Sequence, residues 1–149
     1  MDRKTVGKLF RRFGKTVGPQ LLGGATAMVV LSGCGAPAAR QDGASRAGRE
    51  FEEALATGDY ATACGLLAVE SREQLEESEK KPCGEALGSQ DLPRGGRVHG
   101  VDVYGRQALL HMGEDILFLS QFDGGWKVTA AGCVPEPGDE PYRCALKGA

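Results

Sequence analysis

Val101-Asp102-Val103-Tyr104-Gly105-Arg106-Gln107-Ala108-Leu109-Leu110-His111-Met112 is the stretch that decides the fold. Its first half alternates β-branched and polar residues, the pattern of a half-buried strand. Gly105-Arg106 is a two-residue turn signal with glycine first, as a type II′ turn requires. The second half returns as an apolar run. Closing the hairpin at Gly105-Arg106 sets Tyr104 opposite Gln107, Val103 opposite Ala108, Val101 opposite Leu110 and His99 opposite Met112. One face then carries Val101, Val103, Ala108, Leu110 and Met112 and is expected to meet the core. The other carries Gly100, Asp102, Tyr104, Leu109 and His111.

Toward the C-terminus the same signals repeat. Gly113-Glu114-Asp115 reads as a turn and 116–122 as a third strand. Asp123-Gly124-Gly125 turns again, and 126–133 is the fourth strand. Leu109-Leu110 and the run 116–119 are apolar on both parities, which predicts strands covered on both faces. Pro135, Pro137, Gly138 and Pro141 then predict an irregular strap that Cys144 ties back to the sheet.

Toward the N-terminus the period changes to that of helices. Phe51, Ala54 and Leu55 share a helical face, and Gly58 suits a left-handed cap. Asp59 follows as an N-cap for a second helix, in which Tyr60, Ala63, Cys64 and Leu67 share a face. Ser71-Arg72-Glu73-Gln74 has capping-box spacing and predicts a helix restarting there. Glu73, Glu76, Glu77 and Glu79 make its solvated acidic face, and Lys80-Lys81-Pro82 ends it. A short helical piece follows over 83–87. Helices first and a four-stranded antiparallel meander after is an α+β arrangement.

The domain so read spans 48–149 and is small enough to need staples. Cys64, Cys83, Cys133 and Cys144 are an even set, expected to pair locally as Cys64–Cys83 and Cys133–Cys144. No CxxC pair favours a zinc site instead, and no cofactor is implied.

The remaining cysteine lies at the other end of the chain. Arg3, Lys4, Lys8, Arg11, Arg12 and Lys15 precede an apolar run over 21–31. That run is too short for the ~20 residues of a spanning helix and reads as a signal-peptide core. It closes on Leu31-Ser32-Gly33-Cys34, which resembles the lipobox of a bacterial lipoprotein; the Ala, Gly and Arg usage is that of a high-GC, actinobacterial chain. The resemblance implies cleavage after Gly33 and a lipid on Cys34, hence residence on the extracytoplasmic face of the cell membrane. Arg11-Arg12-Phe13-Gly14-Lys15 weakly resembles a twin-arginine signal, but the favoured reading is a plain basic leader with two adjacent arginines. Residues 34–47, with Gly, Ala, Pro, Ser and single charges and no hydrophobic periodicity, are expected to be a lipidated flexible tether. The leader carries 6 basic residues against 1 acidic, and the rest of the chain 12 against 19. An acidic mature domain argues against nucleic acid as a partner.

The helix over 51–55, Gly58-Asp59-Tyr60, the hairpin series and the closing Gly125-Trp126-Lys127-Val128 together resemble the NTF2-like (SnoaL-like) superfamily. That resemblance implies a cone-shaped sheet whose lining Asp, His or Tyr groups can act as acid and base. Asp102 and His111 are diagonal neighbours in the hairpin register, with Tyr104 beside them, so these three are the candidate catalytic set if the chain is an enzyme. Otherwise they are the polar outer face of a sheet. His99 is expected to be structural, and Trp126 a core anchor or, with Phe118 and Phe122, a pocket wall. No nucleophile elbow or phosphate loop occurs, and Ser71 and Ser120 have no evident base. The reading is a non-enzymatic envelope module that binds a protein partner or a small ligand. The alternatives are a small NTF2-like enzyme and an accessory subunit of a membrane complex.

Overall fold

The computed structural model describes residues 38–138 and 142–148. The leader, the arginine pair, the lipobox with Cys34, and Pro141 lie outside the described residues. Four helices, α1 (Ala38–Thr57), α2 (Tyr60–Leu66), α3 (Val69–Glu79) and α4 (Cys83–Gly88), precede five strands. These are β1 (Val98–Tyr104), β2 (Gln107–Met112), β3 (Asp115–Phe122), β4 (Gly125–Pro135) and β5 (Tyr142–Lys147). The strands form one antiparallel meander in the order β1-β2-β3-β4-β5.

The hairpin that decides the fold closes as its sequence predicts. Tyr104 pairs with Gln107, Val103 with Ala108, Asp102 with Leu109 and Val101 with Leu110. Ala108, Leu110 and Met112 are buried, and Val101 and Val103 pack against the same core. The register departs at one place: Val98, not His99, lies opposite Met112. A bulge between Val98 and Gly100 absorbs His99 and leaves it exposed. A bulge adds one residue to one strand, so every pairing beyond it slips by one.

The tether expected over 34–47 is instead helical from Ala38 onward, and the folded domain begins there rather than at 48. Ala44, Ala47, Gly48, Phe51 and Ala54 form the buried stripe of α1. Apart from Phe51 these residues are small, and their small size lets the helix pack closely rather than arguing against it. A Cβ on Gly48 would run into Leu110, and one on Gly43 would sit 3.0 Å from the Trp126 indole. Small side chains let α1 lie close on the sheet, where burial offsets their weak helix propensity.

Gly58 takes a left-handed conformation (φ 73°) after α1, and Asp59 caps α2. Its carboxylate accepts from the Thr62 N–H at 3.1 Å and from the Thr62 hydroxyl at 2.7 Å, which holds the Asp59 pKa low. The expected capping box does not form. α3 starts at Val69, two residues before Ser71, whose hydroxyl donates instead to the Thr129 carbonyl at 2.9 Å. Ser71 is thereby buried and ties α3 to β4.

The sheet has five strands, not four. The expected strap includes β5, which pairs along β4 with Cys133 opposite Cys144. Alternation explains the strand: Leu146 is buried, while Arg143, Ala145 and Lys147 face solvent. Both disulfides are those expected from sequence, Cys64–Cys83 between α2 and α4 and Cys133–Cys144 across the last hairpin.

Replacing the second staple by Cys133→Ala with Cys144→Ala is expected to cost ~2–4 kcal/mol. The readout is the urea midpoint of the domain; an unchanged midpoint would mean that β5 holds its place without the cross-link.

Candidate functional site

Asp102 and His111 do approach each other. His111 Nε2 lies 3.8 Å from Asp102 Oδ2, on side chains that are 43% and 52% exposed. The approach is open to solvent, and Tyr104, at 74% exposed, stands at the turn end of the same face. Water screens such a pair. Trp126, Phe118 and Phe122 do not converge. Trp126 is buried beneath α1, Phe118 packs edge-on against Tyr142 at 5.2 Å, and Phe122 is exposed.

A second pair of acids is buried, and neither member stood out in the sequence. Glu52 continues the buried stripe of α1 one turn beyond Gly48, so its carboxyl enters the sheet interface. Asp115 opens β3 on the parity of Leu117 and Leu119, the core-facing side. The turn before it is two residues long, Gly113-Glu114, with Met112 opposite Asp115. Asp115 is therefore the first residue of the strand rather than the third of the turn. Glu52 is 7% and Asp115 2% exposed.

Backbone donors converge on both groups. The Gly95 N–H donates to Glu52 Oε2 at 2.7 Å, and the Cys133 N–H donates to Asp115 Oδ1 at 3.2 Å. The N–H groups of Ile116 and Gly132 also stabilise the Asp115 carboxylate. Gly132 sits in mid-strand with φ 64°, a conformation that glycine adopts without strain. The remaining oxygens, Glu52 Oε1 and Asp115 Oδ2, are buried without a donor among the described residues.

A single shared proton accounts for this arrangement. Two carboxylates side by side and out of water cannot both ionise cheaply, so one keeps its proton and donates it to the other. Burial raises the Glu52 pKa to about 7, opposed by the Gly95 hydrogen bond and helped by the charge of Asp115. Burial raises the Asp115 pKa as well, while its backbone donors and Glu52 pull it down. Glu52 is thus the proton donor and Asp115 the acceptor, and their titrations are those of a pair.

The loop that holds Glu52 also walls a cleft of about 590 Å³. Leu55, Tyr60, Leu87, Leu92 and Pro93 make its apolar side, and Glu52 contributes to its lining. Arg49 and Arg94 stand on its rim, exposed and without an ion pair among the described residues. Two glycines fix the wall. A Cβ on Gly95 would overlap the Glu52 carboxyl, and one on Gly113 would overlap the Gly95 carbonyl. The cleft and the Asp102–His111 pair share no residue. Comparison with family models, with curated proteins and with solved structures finds no match.

Both carboxyl pKa values lie above their ordinary range, so the folded chain keeps protons that the unfolded chain has released. The stability contributed by this pair is then fully present below about pH 4.5 and is lost as the pH rises toward about 7. Glu52→Gln should flatten this dependence, and at pH 5 should stay within ~1 kcal/mol of the parent, because the amide also donates to Asp115. Chemical unfolding of both proteins across pH 4.5–8 measures it, and a parent whose stability rises over that window would contradict the shared proton.

Proposed function

We propose that the chain is a bacterial lipoprotein, held at the extracytoplasmic face of the cell membrane by a lipid on Cys34, with a non-enzymatic domain that binds a small ligand. The observation that carries the binding reading is the cleft: an apolar wall of Leu55, Leu87, Leu92 and Pro93 under a rim bearing Arg49 and Arg94. A volume near 590 Å³ is in the range that encloses a small organic molecule. Unpaired guanidinium groups over an apolar wall fit a ligand with a hydrocarbon body and an anionic head, since guanidinium recognises carboxylate and phosphate in a bidentate way.

One feature supports the export reading: both described disulfides suit an oxidising compartment. Among the described residues no helix is long and apolar enough to cross a membrane. The helix–Gly58-Asp59–helix entry into an antiparallel meander favours the NTF2-like arrangement. A small enzyme remains the second reading, favoured by the Asp102–His111 approach at 3.8 Å.

Decanoate is the simplest probe of the cleft. It should raise the thermal midpoint of the protein with the logarithm of its concentration above Kd, and Arg49→Ala with Arg94→Ala should weaken its binding about tenfold or more. Asp102→Ala and His111→Ala should leave it unchanged. Binding that ignores the two arginines would contradict the cleft as the site. A turnover that Asp102→Ala abolishes in a folded protein would replace the binding reading by the enzymatic one.

A further inference from the structure

The start of α1 identifies which end of the domain the anchor would hold to the membrane. Three residues, Gly35, Ala36 and Pro37, separate Cys34 from Ala38. Four peptide steps reach at most ~14 Å. So short a leash keeps the end nearest Ala38 within about that distance of the headgroups and makes it the end that faces the bilayer.

The contacts of the first turns of α1 say what that end is. Arg40 Nη2 donates to Gln121 Oε1 at 3.3 Å, and Gly43 lies on the Trp126 ring. Gln121 and Trp126 are partners at the close of the β3–β4 hairpin. The β1–β2 turn is fastened to the same place. The Gln121 N–H donates to the Arg106 carbonyl at 2.7 Å, and Arg106 Nε donates to the Gln121 carbonyl at 2.8 Å. The helix start and both hairpin tips are therefore one end of the molecule. The opposite end of α1 carries Glu52 and the cleft.

That end exposes side chains suited to a membrane interface. Tyr104 is 74% and Phe122 41% exposed, two of the four large hydrophobic residues the described domain leaves in water. Both flank the tips, Tyr104 before Gly105-Arg106 and Phe122 before Asp123-Gly124. Arg106 lies in the turn just after Tyr104, and Arg40 reaches the same end from the helix-covered face of the sheet, through Gln121. Arg106 is loosely paired with Asp123 at 3.6 Å, on an Asp123 side chain that is fully exposed. Aromatic rings with a guanidinium beside them partition to the headgroup level, ring toward the acyl chains and cation toward phosphate.

We infer that Tyr104 and Phe122, with Arg106 and Arg40, form the surface that rests on the phospholipid headgroups, and that the cleft opens away from the bilayer. The inference depends on the lipid-anchor reading above. Depth-dependent fluorescence quenching tests it on the full chain purified from host membranes and placed in vesicles of phosphatidylethanolamine and phosphatidylglycerol with brominated acyl chains. Trp126 is the only tryptophan, so a Trp126→Phe background isolates new probes at Tyr104→Trp, Phe122→Trp and Glu53→Trp. Quenching at positions 104 and 122 should exceed that at position 53, on the cleft, at least twofold. Should Trp126→Phe fail to fold, the same three probes are read as differences from the protein that retains Trp126. Equal quenching at all three positions, in protein whose intact mass shows the lipid on Cys34, would overturn the orientation alone. An intact mass showing a chain with no lipid on Cys34 would overturn the anchor, and the orientation with it.

Discussion

The buried contact between Glu52 and Asp115 is the constraint on which the rest of the domain depends. An isolated carboxylate in that position would cost several kcal/mol. The chain meets this cost with backbone donors from the loop at Gly95 and from β4 at Cys133, and with a proton kept between the two acids. Each donor belongs to a different segment. The pair therefore joins α1, the start of β3, the middle of β4 and the loop before β1. That loop is the wall of the cleft. The Cys133–Cys144 staple acts on the same point, because Cys133 supplies both a donor to Asp115 and the sulfur that holds β5. Removing a partner from such a network leaves the other group buried and unsatisfied, which costs more than the hydrogen bond itself.

α1 connects the two halves of the functional account. Its small residues allow it to lie flat on the sheet, and its direction sets Arg40 over the hairpin tips and Glu52 under the cleft. Twelve residues of helix separate those two positions by roughly 18 Å. A ligand cleft at one end and an anchor at the other would leave the binding site clear of the headgroups. The exposed Asp102–His111 pair lies on neither of these features, and nothing in its surroundings desolvates it. Its geometry follows from hairpin register alone.

Much of this was legible in the sequence, for identifiable reasons. Gly105-Arg106 fixed the register because a side-chain period of two permits only one core face. Asp59 announced the α2 start because a glycine and a capping acid act locally. The disulfides followed from short separations. What was missed depended on distant partners. Gly, Ala and Ser over 38–48 have the composition of a linker, and only the facing Trp126 and Leu110 make them a helix face. Ser71 has capping-box spacing, yet its hydroxyl finds the Thr129 carbonyl, 58 residues away, more rewarding than a local N–H. β5 was hidden by the prolines before it: Pro135 reads as the start of an irregular strap, yet it ends β4 and pairs with Tyr142. Glu52 reads as one more helix acid, and Asp115 as one more turn acid. A signal for both existed: Glu52 falls at i+4 from Gly48, and Asp115 shares parity with Leu117 and Leu119. It could be read only once α1 was extended to Ala38 and the β2–β3 turn shortened to two residues.

Carboxyl carbon chemical shifts of Glu52 and Asp115, followed by NMR from pH 3 to 9, test the shared proton most directly. The account predicts a Glu52 carboxyl that stays protonated well above the ordinary range and titrates near pH 7, with Asp115 responding in the same step. Two independent titrations near pH 4 would contradict it, and would mean that the two acids do not meet in solution.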